Sequence, residues 1–99
     1  MFNGIFSTPP IPFVKNKINF NLYNNFLKWQ KNNGVGNVYL LGTWGGHGIL
    51  NFEEKKFFIN KVSKICKKVN IKQIVNVSSF KEKEVIYLSN LAEDNGVEA

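Results

Sequence analysis

With 99 residues the chain has room for one domain at most, and 43% hydrophobic residues, including nine phenylalanines, exclude a disordered polypeptide. The formal net charge is +6, and all 13 basic residues are lysine. Without arginine's bidentate fork, and with lysines spread beside asparagines (FVKNKINF, QKNN, KKVNIK), that charge points away from a nucleic-acid partner.

In chain order, the first apolar run is GIFSTP, Gly4 to Pro9, which predicts a short strand. Pro9, Pro10 and Pro12 end it and force an extended loop. Phe20, Tyr23, Phe26, Leu27 and Gln30 then share one face of a predicted helix, with Gly34 as its stop. The second strand is NVYLL, Asn37 to Leu41, followed by a turn rich in glycine. Asn51 and Glu54 have the spacing of a capping box. Behind them Phe58, Val62, Ile65, Cys66 and Val69 recur at i, i+4, i+7, i+8 and i+11, one buried stripe. Lys55, Lys56, Lys61, Lys64, Lys67 and Lys68 are read as the solvated face of that helix.

The third strand is KQIVNVSS, Lys72 to Ser79. Ser79 and Glu82 suggest a second capping box, Val85, Ile86, Ser89 and Ala92 a helical face, and Gly96 its end. The order β-α-β-α-β-α implies a parallel sheet with right-handed crossovers. Such a sheet is covered on both faces or closed into a barrel, so the helices either alternate sides or belong to part of a larger barrel. NGVEA stands where a fourth strand is expected to begin.

Cys66 is the lone cysteine, which excludes an intramolecular disulfide and a cysteine-based metal site. Its place on the apolar stripe makes it a core residue. No apolar run approaches the ~20 residues of a membrane span, and the N-terminus lacks the basic n-region of a signal peptide, so the cytoplasm is the expected compartment.

The turn Gly42-Thr43-Trp44-Gly45-Gly46-His47-Gly48 is neither a P-loop nor a dinucleotide fingerprint. No Lys-Ser or Lys-Thr follows its last glycine, and position 51, where a third spaced glycine would fall, is Asn51. It offers the Thr43 hydroxyl and several backbone N–H groups ahead of a helix. Two readings stay open: a nest for an anion of modest charge such as a carboxylate, or a plain βα loop. His47 has no second histidine and no acidic neighbour in the turn, and is read as a loop residue. Trp29, near a helix end, is read as packing, while Trp44 is a candidate for ligand stacking.

Taken together, FNGIFSTPPIPF, KINF, NGVGNVYLLGTWGG, LNFEEKKFFINKV and LAEDNGVEA resemble, in that order, the N-terminal part of the N-acetylneuraminate lyase and dihydrodipicolinate synthase superfamily. The resemblance covers nearly the whole chain. It implies an α/β fold, with residues 1–99 the N-terminal portion of a (β/α)8 TIM barrel covering strands 1–3, a fragment. The implied activity is that of a pyruvate-class aldolase or lyase acting through a lysine Schiff base, with no cofactor because that lysine is the electron sink. The second strand, GVGNVYLLGT, and the missing proline before IKQIVNVSS place the sialic-acid lyases ahead of the synthases. The implied reaction of the full-length parent is then cleavage of N-acetylneuraminate to N-acetylmannosamine and pyruvate, with a dihydrodipicolinate synthase-like or other 2-oxo acid aldolase as the alternative, and the implied assembly a homotetramer.

By the same resemblance, Thr43, the backbone N–H of Trp44, and Gly45 hold the substrate carboxylate. Trp44 stands where a second hydroxyl residue belongs, Gly46 replaces a glutamate and His47 a small residue. A non-catalytic homologue that binds a small carboxylate is therefore a further alternative. The Schiff-base lysine and the catalytic tyrosine fall outside the chain, so the 99 residues alone are expected to be inactive.

Overall fold

Parallel pairing organises the chain. The computed structural model describes residues 4–9, 11–14, 17–42 and 50–99. Its elements are β1 (Phe6–Ser7), β2 (Phe13–Val14), β3 (Lys17–Ile18), α1 (Phe20–Asn32), β4 (Asn37–Leu40), α2 (Phe52–Val69), β5 (Lys72–Val75) and α3 (Glu82–Asp94). β4 lies between β1 and β5 and runs parallel to both, with Ser7 opposite Val38 and Val38 opposite Gln73. The β-α-β-α-β-α order therefore holds. The proline-rich segment is more than an extended loop: β2 and β3 pair antiparallel, Phe13 opposite Ile18.

The helices form one layer. Phe58 of α2 packs on Phe20 and Tyr23 of α1, with ring centroids 6.4 Å and 5.6 Å apart. On its other flank α2 meets α3 through Phe52 and Tyr87, 5.5 Å apart, and through an Asn95 to Asn60 side-chain hydrogen bond of 3.0 Å. Helices that touch in series lie on one face of the sheet, which removes the alternating arrangement. Val38, Leu40 and Val75 point into this layer with Phe58, Ile59, Val62, Cys66 and Leu88, all buried. Tyr39 and Ile74 point to the opposite face and are half-buried.

Local chemistry explains the boundaries. The Asn19 side chain accepts from Leu22 N–H to start α1. Its end is the expected one: Gly34 has φ +86, and its N–H donates to Lys31 O. The α2 capping box is present in both directions, with Glu54 N–H to Asn51 Oδ1 at 2.8 Å and Asn51 N–H to Glu54 Oε1 at 3.0 Å. At the other end of α2, Asn70 takes the left-handed conformation that closes it. Past α3 and Gly96, Ala99 N–H donates to Gln73 O and Val75 N–H to Ala99 O. That is the pattern of a further parallel strand on the free edge of β5, where one was expected.

Several expectations need correction. β5 stops at Val75 rather than Ser79, because Asn76 turns the chain with its side chain. The second capping box does not form: α3 begins after Lys81 with no side-chain cap, and Ser79 Oγ instead bonds Glu84 and Lys81 N–H. On α3 Ala92 is buried as read and Val85 is half-buried, but Leu88 completes the face, while Ile86 is 53% exposed and Ser89 is exposed too. Trp29 is 60% exposed and stacks on Phe26 rather than on the core. Lys55 belongs to the buried set, not the solvated one.

Two polar groups link the sheet to the helices at the end where the strands begin. Gln30, buried on α1, accepts from Ser7 Oγ and donates to Val35 O and Asn37 O. Gln73 accepts from Ser63 of α2. Cys66 is indeed core: burial, then the nearby Glu98 carboxylate, push its thiol up to about 12. Burial also raises Tyr23, with Cys66 as the second cause.

Two outcomes follow. Asn51→Ala removes the acceptor for Glu54 N–H and lowers stability by about 1 kcal/mol in urea melts. For Cys66 the folded state binds the proton more tightly than the unfolded thiol, so its contribution is complete below the unfolded value of 9.0 and is lost as pH rises towards about 12. Tyr23, raised from 10.0, adds to the loss above that value. Urea midpoints measured across this range fall with pH, and Cys66→Ala flattens the first part of the decline.

Candidate functional site at the strand ends

Because the three strands are parallel, Thr8, Leu41–Gly42 and Asn76–Ser79 leave the sheet at one end. β4 is central, so its exit lies between the other two. Thr43, Trp44 and Gly45, the expected carboxylate ligands, lie outside the described residues, as do Gly46 and His47. The residues on either side of them define what the structure brings to this end.

Leu41 is fully buried with φ +59, the left-handed region that a branched side chain rarely enters. That conformation costs about 1–2 kcal/mol. It ends the β4 ladder and turns the Leu41 carbonyl away from a strand partner. Asn76 supplies the missing donor: its Nδ2 reaches Leu41 O at 2.9 Å, while its backbone N–H extends the ladder to Leu40 O at 2.9 Å. One such hydrogen bond contributes about 1 kcal/mol, comparable to the cost it offsets. Asn76 Oδ1 in turn accepts from Ser78 N–H at 3.1 Å and Ser78 Oγ at 2.7 Å.

Gly42 follows Leu41, and here the absence of a side chain is required. A Cβ at position 42 would collide with Cε1 of Tyr39. The Tyr39 ring therefore rests against the backbone at the point where the glycine turn begins. On the far side of that turn, Lys55 is 8% exposed and its Nζ donates to Ser78 O at 3.4 Å. Leu50, Lys55, Ser78, Phe80 and Glu84 border a cleft of about 370 Å³, at whose rim Phe80 is fully exposed.

The chemistry available among the described residues is that of support. Cys66 and Tyr23 are buried in the helix layer with raised pKa values, so neither serves as a nucleophile or base near neutral pH. No group of three or more His, Cys, Asp or Glu side chains converges among the described residues. No described helix is long and apolar enough to cross a membrane. Sequence reasoning missed Asn76, Tyr39 and Lys55. The available signal for Asn76 was an asparagine interrupting an apolar strand run, a residue type that bonds the backbone two positions on.

The sequence model of the dihydrodipicolinate synthetase family matches residues 1–99. The chain belongs to that family. A 4-hydroxy-tetrahydrodipicolinate synthase of Leptospira biflexa is 33% identical over 98 residues, which cover 99% of this chain and 33% of the relative. The chain thus spans about a third of the length of the curated relatives it matches. Among solved structures, the 4-hydroxy-tetrahydrodipicolinate synthase of Methylacidiphilum fumariolicum superposes with a TM-score of 0.87 at 25% identity, covering 100% of this chain and 33% of that one. An N-acetylneuraminate lyase of Mycoplasma synoviae gives 0.83 at 22% identity over 94% of this chain and 32% of that one, a likeness of fold alone. The superfamily resemblance is upheld. The placing of the lyases ahead of the synthases finds no support, since the curated relatives carry the synthase name.

The contact between Tyr39 and Gly42 is open to a direct check. Gly42→Ala forces the ring aside and lowers stability by about 1–3 kcal/mol, as overpacking does. Placed on Tyr39→Ala, the same substitution costs much less, and a double-mutant cycle by urea denaturation measures the difference.

Proposed function

We propose that residues 1–99 form the first three βα units of a (β/α)8 barrel whose full-length parent performs pyruvate-class aldolase chemistry through a lysine Schiff base. The observation that carries the reading is the family match along the whole chain. The position of β4 supports it: the turn that leaves the central strand opens at the end of the sheet where barrel enzymes gather their sites.

On this reading Thr43 and the backbone N–H groups of Trp44 and Gly45 hold the carboxylate of pyruvate. Each hydrogen bond to a charged oxygen contributes about 1.5–3 kcal/mol, roughly ten- to a hundredfold in binding. Trp44 brings an indole in place of a second hydroxyl, so one such bond is replaced by apolar surface. The imine-forming lysine and the proton-transferring tyrosine belong to strands outside this segment. Lys55, the buried lysine among the described residues, is held by a carbonyl at the loop and takes no part in imine chemistry. The parent is a homotetramer in the cytoplasm.

Condensation by a 4-hydroxy-tetrahydrodipicolinate synthase is the preferred reaction, from the names of the relatives. Cleavage of N-acetylneuraminate is the second reading, supported by the likeness of GVGNVYLLGT to the lyases' second strand. A non-catalytic carboxylate binder is the third, supported by Trp44 and Gly46.

Pyruvate titrated into the labelled chain is expected to shift the amide resonances of Thr43 to Gly45, and Thr43→Ala to weaken that binding about tenfold. Borohydride added with pyruvate is expected to leave the mass of the 99-residue chain unchanged. A stable pyruvyl adduct on any of its lysines overturns the assignment of the imine to another segment. In a full-length barrel bearing this segment, product analysis separates the synthase from the lyase, and binding without turnover identifies the third reading.

A further inference from the structure

We infer that Asn76 is a positioning residue for the exit of β4, the central link of a hydrogen-bonded path that joins Leu41, where β4 ends, to the β5 exit loop and through Ser78 to Lys55 of α2. The inference rests on the carboxylate-turn reading and assigns the residue that aims that turn.

Three observations carry it. The last described residues before the turn are Leu41 and Gly42, and Leu41 holds a left-handed backbone although its side chain is fully buried. Its carbonyl accepts from Asn76 Nδ2 at 2.9 Å. After the turn, Lys55 of α2 donates from Nζ to Ser78 O at 3.4 Å. Between those two anchors, Asn76 Oδ1 accepts from both Ser78 N–H and Ser78 Oγ. One continuous path of hydrogen bonds therefore runs from the strand before the turn, through residues 76–78, to the helix after it.

The chemistry favours asparagine at this junction. A carboxamide donates and accepts at once, so it can bond a carbonyl on one side and an N–H and hydroxyl on the other. Aspartate lacks the donor and would set a negative oxygen against the Leu41 carbonyl. Alanine lacks both. The Tyr39 ring against Gly42 limits backbone movement from the opposite side, so the exit of β4 is held between a hydrogen bond and a ring. A change at Asn76 then alters where the Gly42 N–H points, without touching the substrate.

The test uses Asn76→Ala and Asn76→Asp in the 99-residue chain, with two readouts. The HN–Hα coupling and backbone carbon shifts of Leu41 report its conformation without any ligand. Pyruvate titration, read at the Gly42 amide, reports the aim of the turn. Leu41 is expected to leave the left-handed region in both variants. Pyruvate affinity is expected to fall about tenfold while the amide shifts of Val38 and Gln73 change little.

Leu41 remaining left-handed in both variants overturns the inference, and so does a displaced Leu41 with unchanged pyruvate affinity. Unfolding of both variants assigns Asn76 to stability and overturns it as well. If Leu41 moves in the variants but the parent chain shows no pyruvate response, the positioning role stands and the carboxylate reading falls.

Discussion

The parallel pairing of β4 with β1 and β5 is the constraint from which the rest of the structure follows. A parallel neighbour cannot be reached by a tight turn, so each strand must be followed by a crossover that returns the chain to the end where strands begin. α1 and α2 are those crossovers, and the common handedness of such connections puts them on the same face. α2, flanked by α1 and α3, closes the layer over Val38, Leu40 and Val75. The same pairing turns Tyr39 and Ile74, both half-buried, to the opposite face and brings the exits of β1, β4 and β5 to one end.

The two ends of the sheet solve the polar problem of parallel strands differently. At the entry end, Gln30 joins β1, the turn after α1 and the start of β4 through three hydrogen bonds from one buried amide. Burying that amide without partners would be costly, and with them it fixes the spacing of helix and strands. At the exit end Asn76 does the corresponding work with a shorter side chain, but it holds a backbone that has already left the ladder. The entry end uses its amide to anchor regular structure. The exit end uses one to stabilise a left-handed residue, and strained backbone of that kind concentrates beside functional loops.

Much of this was legible in the sequence. The apolar spacing of α2 and the reciprocal chemistry of Asn51 and Glu54 depend on neighbours within four residues, and both appear as read. The exit of β5 was not legible in the same way. KQIVNVSS reads as one strand by composition, and only the Leu41 carbonyl, 35 positions away in sequence, gives Asn76 a reason to turn. On α3 the apolar residues Val85, Ile86, Leu88 and Leu91 fit more than one helical stripe, and only the packing against α2 selects Leu88 and Ala92 over Ile86. Lys55 was misread because its place in the helical period cannot show that a carbonyl of the β5–α3 loop lies within reach. The hairpin of β2 and β3 escaped notice because two-residue strands carry no periodicity.

On the proposed reading the carboxylate turn begins at Gly42-Thr43, and the described residues on its two sides are tied by polar groups that lie outside it, in the β5 exit loop and α2. That separation matters for the departures at Trp44 and Gly46. Among the described residues the anchors before and after the turn are Leu41 to Asn76 and Lys55 to Ser78, and neither uses a substituted position. On the proposed reading, Trp44 is a question of which carboxylate fits beside an apolar wall, and Asn76 decides whether Gly42 and Thr43 face it.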